Sequence, residues 1–131
     1  MAATQKRRGA TNRATQRLPK EDVVRGMGNL VCQLPRLLTN EVGEVDYPAS
    51  PPDLLVRIGE NADTAVGAIQ LGIAAIGRIL AFAAPEVEDG TVSSDTVEAL
   101  GWLLAEMGEL AAALTVMGAR CRRETADYEP P

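Results

Sequence analysis

From residue 54 onward, apolar side chains return every third or fourth position, at Leu55, Ile58, Ala62, Ala65, Ile69, Gly72, Ile76, Ile79 and Ala83. That is the repeat of one helix face, not the alternation of a strand. Ahead of it, Ser50 offers a capping hydroxyl, Pro51 and Pro52 suit a first helical turn, and Asp53 complements the dipole. The pattern predicts a helix over residues 51–84, about 45 Å long if unbroken. A second run, Val97, Leu100, Leu104, Met107, Ala111, Leu114, Gly118 and Cys121, predicts another over 95–123, with Leu103, Leu110 and Met117 widening its stripe. Ser93, Ser94 and Asp95 compete to cap it, and Glu98 is placed to close a box on Asp95. Its charges follow the dipole, with Glu98, Glu106 and Glu109 early and Arg120, Arg122 and Arg123 late. Pro85 and Gly90 mark a connection of about ten residues, so the two helices fold back as an antiparallel hairpin.

A shorter helix is predicted over 19–38, opening at Pro19 with Glu21 and Asp22 in its first turn and carrying Val23, Val24, Met27, Leu30, Val31 and Leu34. Pro35 removes a backbone donor, so this helix breaks or kinks near Leu34. Residues 40–49 read as a linker and 127–131 as a tail. Residues 1–18 show no hydrophobic periodicity and read as a disordered basic arm ahead of a helical domain spanning 19–126. The fold class is therefore all-α, a long helical hairpin plus a shorter N-terminal helix.

Small residues form a second pattern. Gly101, Ala105, Gly108, Ala112, Thr115 and Ala119 recur along the last helix, and Ala65, Ala68, Gly72 and Ala75 along the one before it. Such rows let helix backbones approach closely, which offsets the roughly 1 kcal/mol each internal glycine costs in helix propensity. Residues 65–84 are apolar on nearly every face, interrupted only by Gln70 and Arg78. A helix of that kind is covered from several sides or lies in lipid. Arg78 argues against lipid, as does a last helix that reads as amphipathic and offers no second span. A homodimer with a four-helix core is the expected cover, and an intramolecular cover by residues 19–38 is the competing one.

Composition sharpens this picture. Hydrophobic residues make up 46 % of the 131, but with one Trp, one Phe and two Tyr the core must be aliphatic. The net charge of −5 hides a division, because residues 1–20 hold six basic groups and no acid. From residue 21 onward eighteen acidic groups stand against seven arginines, a net of −11. Two cysteines, Cys32 and Cys121, without an apolar leader after the basic residues, point to a reducing, cytoplasmic setting.

The chain contains no His, which removes the commonest general base, the usual zinc ligand sets and the Glu-x-x-His pairs of di-iron bundles. Gly26, Met27, Gly28 and Asn29 resemble the opening of a dinucleotide fingerprint, but Val31 holds the third glycine position and no strand precedes it. No metal, cofactor or catalytic residue is expected, and the chain reads as a non-enzymatic module that binds a protein partner. Two other readings are a small acidic phage or mobile-element inhibitor of a nucleic-acid-handling complex, and a nucleic-acid accessory protein using residues 6–20. The candidate partner contacts are Glu98, Glu106 and Glu109 on the last helix and Arg7, Arg8 and Arg13 on the arm. The candidate helix-packing residues are Gly72, Gly101, Ala105, Gly108 and Ala112.

Overall fold

The computed structural model describes residues 20–131, with side chains from residue 25. The expected arm, its Arg7, Arg8 and Arg13, Pro19 and the side chains of Glu21, Asp22, Val23 and Val24 lie outside that description. The architecture is all-α. In chain order come α1 (Lys20–Gln33), a 3-10 turn (Leu34–Arg36), α2 (Pro52–Phe82), a short α3 (Ala84–Glu88) and α4 (Ser94–Glu124). The two 31-residue helices α2 and α4 pack against each other as the hairpin, and α1 lies on α2.

α1 ends five residues earlier than its pattern predicts. Pro35 sits inside the 3-10 turn, and Leu37 is already extended. The chain then makes a tight excursion held by local bonds: Asn40 Oδ1 accepts from the backbone N–H groups of Val42 and Glu44, at 3.1 and 2.9 Å. Gly43 at φ 82° supplies the left-handed residue this bend needs.

Ser50 was the expected cap of α2, and it does something else. Pro51 holds the cap position and makes no side-chain cap bond. The Ser50 hydroxyl instead donates to the Asp46 carbonyl at 2.7 Å and accepts from the Leu38 N–H at 3.1 Å. It is 3 % exposed, and these two bonds tie both ends of the excursion together beneath the start of α2. Proline explains the exchange, because Pro51 and Pro52 have no N–H groups and leave a cap fewer donors to satisfy.

At the hairpin tip, α3 occupies the segment expected to be an irregular turn, and Gly90 at φ 84° closes it. Asp89 accepts from Thr91 N–H at 2.8 Å, and its bonds to Thr91, led by the side chain, hold its carboxyl below the usual range. Of the three competing caps for α4, Ser93 is used. Its Oγ accepts from Thr96 N–H at 3.2 Å, and α4 begins at Ser94, so the box between Asp95 and Glu98 is not built.

The core is small and one-sided. Leu30, Leu54, Leu55, Ile58, Ala62, Ala65, Ile69, Leu114 and Cys121 form it, extending from the end of the hairpin away from the tip to its middle at Ile69. Two glycines set the closest approach of α2 and α4 there: a Cβ built on Gly59 would lie 3.6 Å from Cys121 Cβ, and one on Gly118 would lie 3.7 Å from Ala62 Cβ. Arg122 Nη1 clamps the same level, donating to Asp63 Oδ1 and Oδ2 at 2.9 and 2.8 Å. Both side chains are more than half exposed, so the clamp orients the helices more than it stabilises them. The segment read as a tail folds back here, with Tyr128 and Pro130 beside Asp53, Val56 and Arg57.

Replacing Ser50 with alanine removes both bonds at a buried site and leaves the Leu38 N–H without its partner. Thermal or urea unfolding of Ser50→Ala is expected to show a loss of about 1–3 kcal/mol, whereas Ser94→Ala, at an exposed non-capping position, is expected to stay within about 0.5 kcal/mol of the parent.

Candidate functional site

α2 carries two apolar rows. One faces α4 and includes Leu55, Gly59, Ala62 and Ile69. The other is fixed by what α1 touches: Asn61 Nδ2 donates to Gln33 Oε1 at 2.9 Å, and Gly26 lies so close to Thr64 that a Cβ there would be 2.9 Å from Thr64 Cγ2. Followed at helical spacing from Asn61, this second row runs Leu54, Ile58, Asn61, Ala65, Ala68, Gly72, Ala75, Ile79 and Phe82. The sequence pattern merges the two rows into one stripe, and the structure separates them.

Where α1 lies, the second row is core: Leu54, Ile58 and Ala65 are at most 2 % exposed. Carried back from Gly26 to Lys20, roughly a further 9 Å along its axis, the described part of α1 reaches about residue 70 of α2. Beyond that level the row is bare. Ile79 is 65 % exposed and Phe82 85 %, Leu71 beside them is 67 % exposed, and Gly72 and Ala75 are exposed as well. Between this stretch and α4 runs an apolar groove whose walls include Ile69, Ile73 and Ile76 on α2 and Leu103, Leu104 and Met107 on α4. Trp102, 67 % exposed, follows on the outer side of α4.

The candidate helix-packing residues do not meet inside the hairpin. Gly101, Ala105, Gly108 and Ala112 are all exposed on α4, and a Cβ built on Gly72, Gly101 or Gly108 would touch nothing within 4 Å among the described residues. The close approach belongs to Gly59 and Gly118, which the core face positions against each other. Glu98, Glu106 and Glu109 are exposed; Glu106 and Glu109 are neighbours on α4, and Glu98 stands two turns away from them. Cys121 is fully buried between the long helices, and desolvation there pushes its thiol up from the ordinary value. Cys32 is exposed on α1, and both thiols are free. Among the described residues no three His, Cys, Asp or Glu side chains come together as a metal-ligand set.

No family model and no solved structure matches the chain. A 60-residue stretch, 46 % of the chain, is 32 % identical to histidinol dehydrogenase of Methanosarcina mazei, and a 55-residue stretch, 42 % of the chain, is 33 % identical to that of Methanosarcina barkeri. The chain spans only 14 % and 13 % of the length of these two enzymes. Segments of that size carry neither a family nor an activity to this chain.

Both α2 and α4 are long and apolar enough to cross a membrane by length and composition. The sequence reading grants that to α2 alone, so its argument that no second span exists does not hold. What distinguishes α4 is Glu106 and Glu109 near the middle of its 31 residues, where a spanning helix would place them deep in lipid.

Sequence reasoning expects α2 to leave apolar surface for a cover, and what it does not locate is where: the bare continuation of the α1 row at Ile79 and Phe82, with Leu71 beside it. The signal was present in the mismatch between a 14-residue α1 and a 31-residue α2. The division between core and bare row has a direct check: Ile58→Ala is expected to cost about 2–5 kcal/mol of stability, and Ile79→Ala on dilute protein less than about 1 kcal/mol.

Proposed function

We propose that this protein acts by binding another protein chain through the tip half of its helical hairpin, without turnover. The observation that supports this most directly is the α2 row that serves as core beneath α1 and continues, equally apolar, into solvent at Ile79 and Phe82. Leaving that much contiguous apolar surface in water is unfavourable, and monomeric soluble proteins rarely do so without a binding role. The absence of His from the whole sequence removes the most common proton-transfer group and favours binding over catalysis. Lipid is a poorer match than protein for this face, because Glu106 and Glu109 would enter the bilayer with it.

The acidic face of α4 offers an alternative contact, and one experiment separates the two. A photo-crosslinking amino acid is placed at Ile79 or at Glu109, and the full chain is irradiated in cells that express it naturally. A discrete protein adduct from position 79, lost when Leu71→Asp is added, is the expected result. An adduct from position 109 alone would move the binding face to the acidic side of α4. No adduct from either would overturn the binding role.

A further inference from the structure

The bare row of α2 has a shape that selects its occupant. Its four exposed positions are graded along the helix, small at Gly72 and Ala75 and large at Ile79 and Phe82. A Cβ on Gly72 would meet nothing, so the small end is an open notch, not a packed contact. When an antiparallel copy of the same helix is laid on this row about a two-fold axis at the level of Gly77, position 72 faces 82 and position 75 faces 79. The large end of each copy then fills the small end of the other. That is the self-complementarity an isologous interface requires.

We propose that a second copy of this chain occupies the bare row, with Phe82 of each protomer seated in the other's Gly72 notch and Ile79 against Ala75. This rests on the binding role proposed above and names its partner. α1 already shows what the row accepts, since Gly26 brings a helix backbone against Thr64 on the same face. The charges permit the pairing: from residue 64 to its end α2 carries one ionisable group, Arg78, so two bodies of net −11 meet through a stretch without a carboxylate. The chain's own arm is chemically unsuited to the notch, because residues 2–17 contain no aliphatic side chain larger than alanine. α2 of the second copy, ending at Phe82 opposite Gly72, stops short of the level that α1 reaches.

The area is that of a small, transient interface. Phe82, Ile79, Leu71 and the groove wall at Leu103 together offer on the order of 500 Å² per copy, below the roughly 800 Å² of a standard interface. A dimer dissociating in the micromolar range is therefore expected, not a permanent one.

The test is the mass of the purified full chain by sedimentation equilibrium, from below one micromolar to several hundred micromolar and without detergent. The parent is expected to pass from monomer to dimer across that range. Gly72→Phe fills the notch and is expected to weaken association at least tenfold, as is Phe82→Ala, which empties it. Combining the two returns a large residue facing a small one and is expected to restore association to within about threefold of the parent. Positions 72 and 82 are exposed in the single chain, and unchanged circular-dichroism melts at low concentration verify that folding is not the cause. A chain monomeric throughout, association indifferent to both single substitutions, or a double variant no better than either single one would overturn the proposal. Association only with lipid or detergent would also overturn it. A monomer that still gives the discrete adduct from position 79 would leave the binding role intact with a different partner.

Discussion

Two neighbours compete for the surface of α2, and only one of them is as long as α2 itself. α4 matches it residue for residue, so the row that faces α4 has a partner along the hairpin. α1 has 14 residues against 31 and covers the other row only where Leu54, Ile58 and Ala65 lie. Among the described residues the core stops at the level where α1 does. A two-helix layer cannot enclose a side chain from all sides, so beyond that level even the residues between α2 and α4, such as Ile76 and Leu104, remain partly open.

Other features of the covered end follow from the need to bring three elements together with small side chains. Gly59, Gly118 and Gly26 mark the close approaches, Ser50 ties the α1–α2 excursion under α2, and the Arg122 clamp on Asp63 fixes the level of α4. None of these devices recurs toward the tip, where the glycines at 72, 77, 101 and 108 meet no neighbour among the described residues. Internal glycines cost helix stability, and close packing compensates at Gly26, Gly59 and Gly118, though not at the exposed Gly28 of α1. In the proposed pairing, Gly72 would gain such a neighbour from the second copy.

Much of this fold was legible in the chain. The three- and four-residue spacing located both long helices within one or two residues of their bounds, and Pro35 located the break after α1. These are local rules, and local rules were enough. What the pattern could not separate was which neighbour each apolar position serves. Ile58 and Ile79 are equivalent in the periodicity of α2, yet one is fully buried and the other is 65 % exposed, because the difference lies in how far along α2 the α1 helix reaches. Ser50 illustrates the same limit: a serine before two prolines reads as a cap, but its hydroxyl is taken by Leu38 and Asp46, partners brought close by a loop whose path the local spacing does not encode. The small-residue row on α4 was visible in the sequence, and its exposure was not.

One continuous apolar row of α2 is covered by α1 over its first half and exposed over its second. Hydrogen–deuterium exchange along α2, followed at several protein concentrations, tests this most directly. Amides near Ile58 and Ala65 should exchange slowly at every concentration, while those from about residue 71 to 82 should exchange faster in dilute protein and slow as concentration rises. Equal protection along the whole of α2 in dilute protein would contradict the account.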